Sequence, residues 1–251
     1  MTTKAMDNKP VIDEIQGNHK NDIGESDLHE TNHHYTQARM LTILALSKLA
    51  EYRDDETGDH LERIREYTKL IAKEMAKKSN FMGYITNEYI DDIYHSSILH
   101  DIGKVGVPDT ILLKLGKLTD AEFEVIKRHT LFGGDVLKDI EAQVEGQTFL
   151  TLGKEIAYFH HERWDGTGYP QGRHGEQIPL SARIVALPDV YDALTSRRVY
   201  KRRNTPEEAK DIIIKEKGKH FDPDVVDSFT ACEDDFNKVY KEQHGGWLKY
   251  K

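Results

Sequence analysis

An all-α bundle of seven or more helices is the fold class this sequence predicts, and three observations predict it. Apolar residues recur at helical spacing over most of the chain. Helix-start signals precede several of those stretches. No segment alternates with period two for long enough to make a strand. The 251 residues suffice for one sizeable core or two small ones. Hydrophobic content of 37% and charged content of 31% fit a soluble, helix-rich chain.

Residues 1–34 are polar and aperiodic, which predicts a mobile leader ahead of a single domain spanning 35–251. His33 and His34 close that leader and are read as incidental. From Tyr35 the pattern changes: Met40, Leu41, Ile43, Leu44, Leu46 and Leu49 recur at helical spacing and predict a helix to about Tyr52. Leu61, Ile64, Tyr67, Leu70 and Ile71 stripe a second, over about 59–79, and a third covers about 87–100. Thr119 with Glu122 forms a capping box for a helix through Leu137. Another covers 148–160. The stretch 180–196 is helical in pattern but carries Pro188, which predicts a kink or a fresh start there. Thr205-Pro206 opens one more helix, and Asp222-Pro223 opens the last.

Several function classes fall away at once. A net charge of −9 argues against duplex DNA as a partner, because phosphates need a basic face. No apolar run approaches the ~20 residues of a membrane span. The single cysteine, Cys232, rules out a disulfide framework within the chain and fits a reducing cytoplasm.

Histidine is the unusual count, at 13, and its placement points to metal. Glu56 and His60 lie four apart, on one face if a helix already runs there. In ILHDIGKVGVPD, His100 and Asp101 follow Ile98 and Leu99. A carboxylate and an imidazole at the edge of an apolar segment are costly unless a partner compensates them, and a cation compensates both. His129 follows Val125 and Ile126 on a helix. His160 and His161 are adjacent where a helix must stop for a glycine loop. Successive helical residues point about 100° apart, so both can serve one site only at a helix end or with two metals nearby. Asp189 lies among Val185, Leu187, Val190 and Leu194. One Glu, five His and two Asp are too many for one ion. Two divalent ions are implied, with Glu56 leaving room for a third, and the ligand chemistry suits iron, manganese or zinc.

Five ordered motifs carry a resemblance to a known family: RDDETGDHLER, HDIGK, KRHTLFGG, HHERWDGTGYP and DVYDALTSRRVYK. Over about residues 38–230 the chain resembles the HD superfamily of metal-dependent phosphohydrolases, and within it the HD-GYP phosphodiesterases that cut cyclic di-GMP. The resemblance implies an HD-type helical bundle with two or three irons, or manganese. It places the ligands on Glu56, His60, His100, Asp101, His129, His160, His161 and Asp189, the same set as above. It also implies that Arg198 and Lys201 hold substrate phosphate. His160 and His161 would each reach a different metal. Lys104, three residues after the HD pair, is expected over the site, gripping phosphate or steadying the nucleophile, and is read with Asp101 as catalytic. Tyr169, held between Gly168 and Pro170, is expected to offer its ring to guanine or its hydroxyl to phosphate. Neighbouring metals can lower the pKa of a water, which would then attack phosphorus in line.

The function expected is therefore hydrolysis of cyclic di-GMP to linear pGpG, with further cleavage to GMP an open expectation. The competing expectations are a weakly active receptor for the dinucleotide, a phosphodiesterase for cyclic GMP-AMP, and a mononucleotidase, which the glycine-tyrosine-proline loop argues against. A homodimer or a partner signalling protein is an open expectation for protein partners.

Overall fold

The computed structural model describes residues 25–52, 59–143, 146, 148–196 and 203–245. Eleven α-helices and no strand occur among them, as the periodicity predicts. The chain divides after Arg39 into two units, and the site lies in the second, which starts at Met40. Helix α1 (Glu25–Glu51) takes in the last ten residues of the expected leader. Among the described residues no helix is long and apolar enough to cross a membrane.

Helix α2 (His60–Met75) is the central element. Its buried face carries Leu61, Ile64, Tyr67, Ile71 and Met75 at helical spacing. Helix α3 (Asn87–Ser96) starts at Thr86, whose hydroxyl accepts from the Tyr89 N–H. The expected helical run to His100 tightens instead into two 3₁₀ turns, Ser97–Leu99 and Ile102–Gly106, with His100 and Asp101 between them. Short α4 (Asp109–Leu112) follows. The Thr119–Glu122 capping box opens α5 (Asp120–Lys127). The single helix expected over 119–137 is in fact two, since α6 (His129–Glu141) starts anew after Arg128. The reason lies in α6's seat. Gly133 packs against the 3₁₀ turn at Gly103, and a Cβ on Gly103 would sit 2.0 Å from the His129 carbonyl oxygen and 2.4 Å from the Gly133 nitrogen. Only backbone against backbone fits there.

Helix α7 (Phe149–Phe159) is capped by Thr148 and ends at His160. Helix α8 (Leu180–Thr195) runs through Pro188 as one helix, so of the expected kink or fresh start no new helix begins there. Proline removes one backbone bond, but α8 buries Ile184, Val185, Leu187 and Tyr191 on both sides of it. That packing outweighs the local cost of roughly 3 kcal/mol. Helix α9 (Pro206–Lys215) has the Thr205–Glu208 capping box, and α10 (Pro223–Ala231) is capped by Asp222. Helix α10 is not the last. Helix α11 (Glu233–Gly245) follows it and inserts Phe236 fully into the core, stacked on Tyr67 at 4.3 Å. Its mostly charged sequence hides the short stripe of Phe236, Val239 and Tyr240.

The main core joins α2, α3, α8, α9, α10 and α11 around Tyr67, Tyr191, Phe229 and Phe236. A smaller one gathers Leu61, Ile98, Leu99, Leu137 and Phe149. Site residues adjoin core residues in the chain: His60 precedes Leu61, His100 follows Leu99, and His160 follows Phe159. Packing of the core therefore aims the site.

Gly103→Ala is expected to destabilise the fold by at least the ~1–3 kcal/mol typical of overpacking, because both obstructing groups are backbone. Thermal unfolding of the variant checks this. A melting temperature equal to that of the unmodified chain would contradict the close approach of the Gly103 turn and α6.

Candidate metal centre

Three imidazoles are held in the same way. His100 Nδ1 lies 2.9 Å from the Ser97 carbonyl oxygen, His129 Nδ1 2.7 Å from that of Ile126, and His160 Nδ1 2.9 Å from that of Ile156. A carbonyl only accepts, so each Nδ1 carries the proton. In the neutral ring, Nε2 then presents a lone pair to the interior. His60 Nδ1 lies 2.7 Å from Asp192 Oδ2, which imposes the same tautomer through a carboxylate.

These lone pairs converge on two adjacent groups. Ligand atoms of Asp101, His129, His160 and His161 all lie within 4.8 Å of one another, and so do those of Glu51, His60 and His100. Asp101 stands between the groups. Its Oδ1 is 3.1 Å from His129 Nε2 and 3.6 Å from His160 Nε2, while its Oδ2 is 3.3 Å from His100 Nε2. His129 and His160 bring their Nε2 atoms to 3.5 Å. The two adjacent histidines serve one group, not one group each: His160 caps α7 and His161 lies in the following turn, with ring centroids 4.0 Å apart. The end of the helix removes the angular conflict that a continuous helix would impose.

The residues fit a cation. His100 Nε2 and Asp101 Oδ1 are buried without a hydrogen-bond partner. His129 Nδ1 donates to Ile126, so a neutral ring 3.1 Å from Asp101 would set acceptor against acceptor. Such an arrangement is unfavourable unless protons or a cation compensate it. The titration behaviour agrees. Burial, with His160 and His129 beside it, holds His161 well below the usual histidine range. Burial also lowers His160. Burial opposes charge on Asp101, but Lys104 and His100 outweigh it and keep the carboxyl ionised well below its usual range. Neutral imidazoles around an ionised carboxylate form the protonation state that metal ligands need. His100 differs: burial disfavours its charge, yet Asp101 pushes it up to about 10. A cation entering there displaces a proton.

Charged neighbours complete the centre. Lys104 Nζ lies 2.8 Å from Asp101 Oδ2. Asp189 Oδ1 is 4.0 Å from His100 Nε2, at the partly open edge. Behind His60, Arg63 clamps Asp192 with Nε at 2.5 Å from Oδ1 and Nη2 at 2.9 Å from Oδ2, and reaches Ser196 Oγ at 3.1 Å. Asp192 is fully buried, and Arg63 and His60 hold its carboxyl far below its ordinary range despite that burial.

The glycine loop after His161 is pinned from inside. Buried Glu162 accepts from the backbone N–H of Gln171 at 2.7 Å and of Arg173 at 3.1 Å. Trp164 and Asp165 donate their N–H groups to the carbonyls of His220 and Lys219. A Cβ on Gly168 would lie 2.4 Å from the Arg163 nitrogen, so glycine is required. The next peptide, Tyr169–Pro170, is cis. The Tyr169 ring sits 4.8 Å from that of His161. Burial raises its hydroxyl pKa, so the phenol keeps its proton at neutral pH.

Of the residues the sequence singles out, His60, His100, Asp101, His129, His160 and His161 come together in the two groups, with Lys104, Tyr169 and Asp189 around them. Glu56, Arg198 and Lys201 lie outside the described residues. Sequence reasoning missed Glu51, Arg63, Asp192 and Glu162. Glu51 continues the inward stripe of Met40, Leu44 and Ser47 at four- and three-residue steps, and an acid on that stripe is its signal. Asp192 follows Asp189 by three residues on a helix, hence on the same face.

The fold and site together define a helical protein whose buried histidine–carboxylate groups can hold metal ions. The chain belongs to the HD domain family, whose model matches residues 45–225. A cyclic di-GMP phosphodiesterase of Vibrio cholerae is 49% identical over 209 residues, covering 83% of this chain and 42% of that protein. The 3′3′-cGAMP-specific phosphodiesterase 2 of the same organism is 37% identical over 194 residues, covering 77% of this chain and 35% of its own length. The crystal structure of a cyclic GMP-AMP specific phosphodiesterase of V. cholerae superposes with a TM-score of 0.52 at 17% identity, over 80% of this chain and 50% of that one. This chain thus spans half or less of the length of these relatives.

Asp192→Asn is expected to weaken metal binding about 10- to 100-fold, because it removes the carboxylate that fixes the His60 tautomer. Competition with a chelating dye measures this. Unchanged affinity, with only a lower melting temperature, would make Asp192 just the ion-pair partner of Arg63.

Proposed function

We propose that this domain is a metal-dependent phosphodiesterase that opens cyclic di-GMP to linear pGpG and then cleaves pGpG to GMP. The observation that carries the proposal is the convergence of imidazole Nε2 atoms on both oxygens of Asp101. His129, His160, His161 and Asp101 would hold one ion, and His60, His100 and Glu51, with Asp189 at the edge, a second. Glu56 would serve a third. Imidazole and carboxylate ligands suit both iron and manganese, and the family resemblance puts iron first. When bound, such ions make water a stronger nucleophile and draw charge from phosphoryl oxygens.

The protein's own groups do the rest. Lys104, beside Asp101, is placed to grip a phosphate oxygen. Tyr169 keeps its phenolic proton and can donate it to phosphate, or offer its ring to a base. Arg198 and Lys201 are assigned to the substrate phosphates on the sequence motif. Each cleavage adds water across one P–O3′ bond, leaving a 5′-phosphate and a 3′-hydroxyl. The higher identity to a relative named for cyclic di-GMP than to one named for cGAMP supports cyclic di-GMP as substrate. A free, buried Cys232 fits a reducing cytoplasm.

The test is turnover of cyclic di-GMP and of 3′3′-cGAMP by protein purified without oxygen and loaded with iron or manganese. Linear pGpG is expected, formed faster than the product of cGAMP. Tight binding of dinucleotide with no product under either metal would favour a receptor instead. His100→Ala or Asp101→Ala should lower the rate on the order of 10²-fold or more and reduce bound metal. Full rate with full metal in either variant would refute the assignment. Glu51→Gln should remove metal from the second group, whereas Glu56→Gln should leave two ions bound. The reverse pattern would exchange their roles.

A further inference from the structure

We infer that Phe123, with Lys127 beside it, receives a purine base of the substrate at the mouth of the centre. The inference rests on the cyclic dinucleotide reading above and adds a specificity-determining residue to it. Phe123 stands on α5, a helix with no fully buried residue. Its side chain is therefore not part of the core, and the residue is 44% exposed. A single exposed phenylalanine would need no explanation. This one is not single. It meets Tyr169 edge to face, with centroids 6.2 Å apart at 80°, and Tyr169 in turn lies 4.8 Å from His161. An exposed aromatic thus adjoins, through one further ring, the group that would take the scissile phosphate.

Lys127 gives the corner its chemical preference. Its Nζ lies 4.9 Å from the Phe123 centroid and 5.5 Å from that of Tyr169, and it also contacts Glu124 at 2.6 Å. An ammonium over two rings, tethered by a carboxylate, is a positioned donor beside a flat apolar surface. The ligand that matches is a large π-system with acceptors on its edge. A purine has both, and guanine offers N7 and O6 together on one edge. Base stacking on an aromatic side chain is a strong, geometry-tolerant contact. In a nucleotide the base lies a sugar away from its phosphate. A phosphate at the histidine groups therefore leaves its base beyond Tyr169, where Phe123 stands.

The test compares binding of GMP with binding of ribose 5-phosphate, which has the phosphate and sugar but no base. The metal-loaded full chain is used, with Phe123→Ala and Phe123→Trp. The unmodified chain is expected to prefer GMP. Phe123→Ala should weaken GMP and cyclic di-GMP about tenfold while leaving ribose 5-phosphate affinity and metal content unchanged. Phe123→Trp should restore binding, since it keeps a stacking face. Equal weakening of GMP and ribose 5-phosphate would overturn the inference, and so would no weakening of either. No preference for GMP in the unmodified chain would also overturn it. Failure of the phosphodiesterase proposal looks different: base-dependent binding would persist with no turnover of the cyclic dinucleotide.

Discussion

A buried, ionised carboxylate among imidazoles must be compensated, and Asp101 is that carboxylate. Its two oxygens face different histidine groups, so one side chain sets the spacing of both. The surrounding structure serves this placement. Two 3₁₀ turns replace the end of a regular helix so that His100 and Asp101 turn inward together. Gly103 lets α6 approach closely enough for His129 to join them. The end of α7 at His160 brings two successive rings to the same group. Lys104 supplies a positive charge to Asp101 from within its own turn.

The outer contacts are arranged to hold those lone pairs still. Backbone carbonyls fix three imidazoles, and a carboxylate fixes the fourth. The Arg63–Asp192 pair behind His60 joins α2 to α8 across the core. Burying such a pair gains little net stability by itself, but breaking it by removing one partner costs roughly 3–5 kcal/mol. Its location directly behind a candidate ligand suggests specificity of geometry as its purpose. Glu162 does the same for the glycine loop, using a buried carboxylate to collect backbone N–H groups that the loop would otherwise leave unsatisfied.

Helix periodicity and caps made most of the bundle legible from sequence, because Thr119–Glu122 and Thr205–Glu208 are local signals that need no tertiary context. Six of the residues that gather in the two groups were equally legible, since histidines and an aspartate beside apolar runs announce buried polar chemistry. What escaped depends on contacts distant in sequence. The break at Arg128 follows from the meeting of Gly103 with α6, which no window of ten residues contains. Helix α11 is called into place by Phe236 packing on Tyr67. Pro188 was overruled by burial on both sides of it. Glu51 and Asp192 acquire meaning only when α1, α2 and α8 come together at His60.

The most direct measurement is anomalous diffraction from crystals of the metal-loaded protein, collected at the iron and manganese absorption edges. Two peaks are predicted, one among His129, His160 and His161 and one among Glu51, His60 and His100, with Asp101 in contact with both. A third peak near Glu56 is compatible with the account. A single peak, or peaks that Asp101 does not bridge, would contradict it.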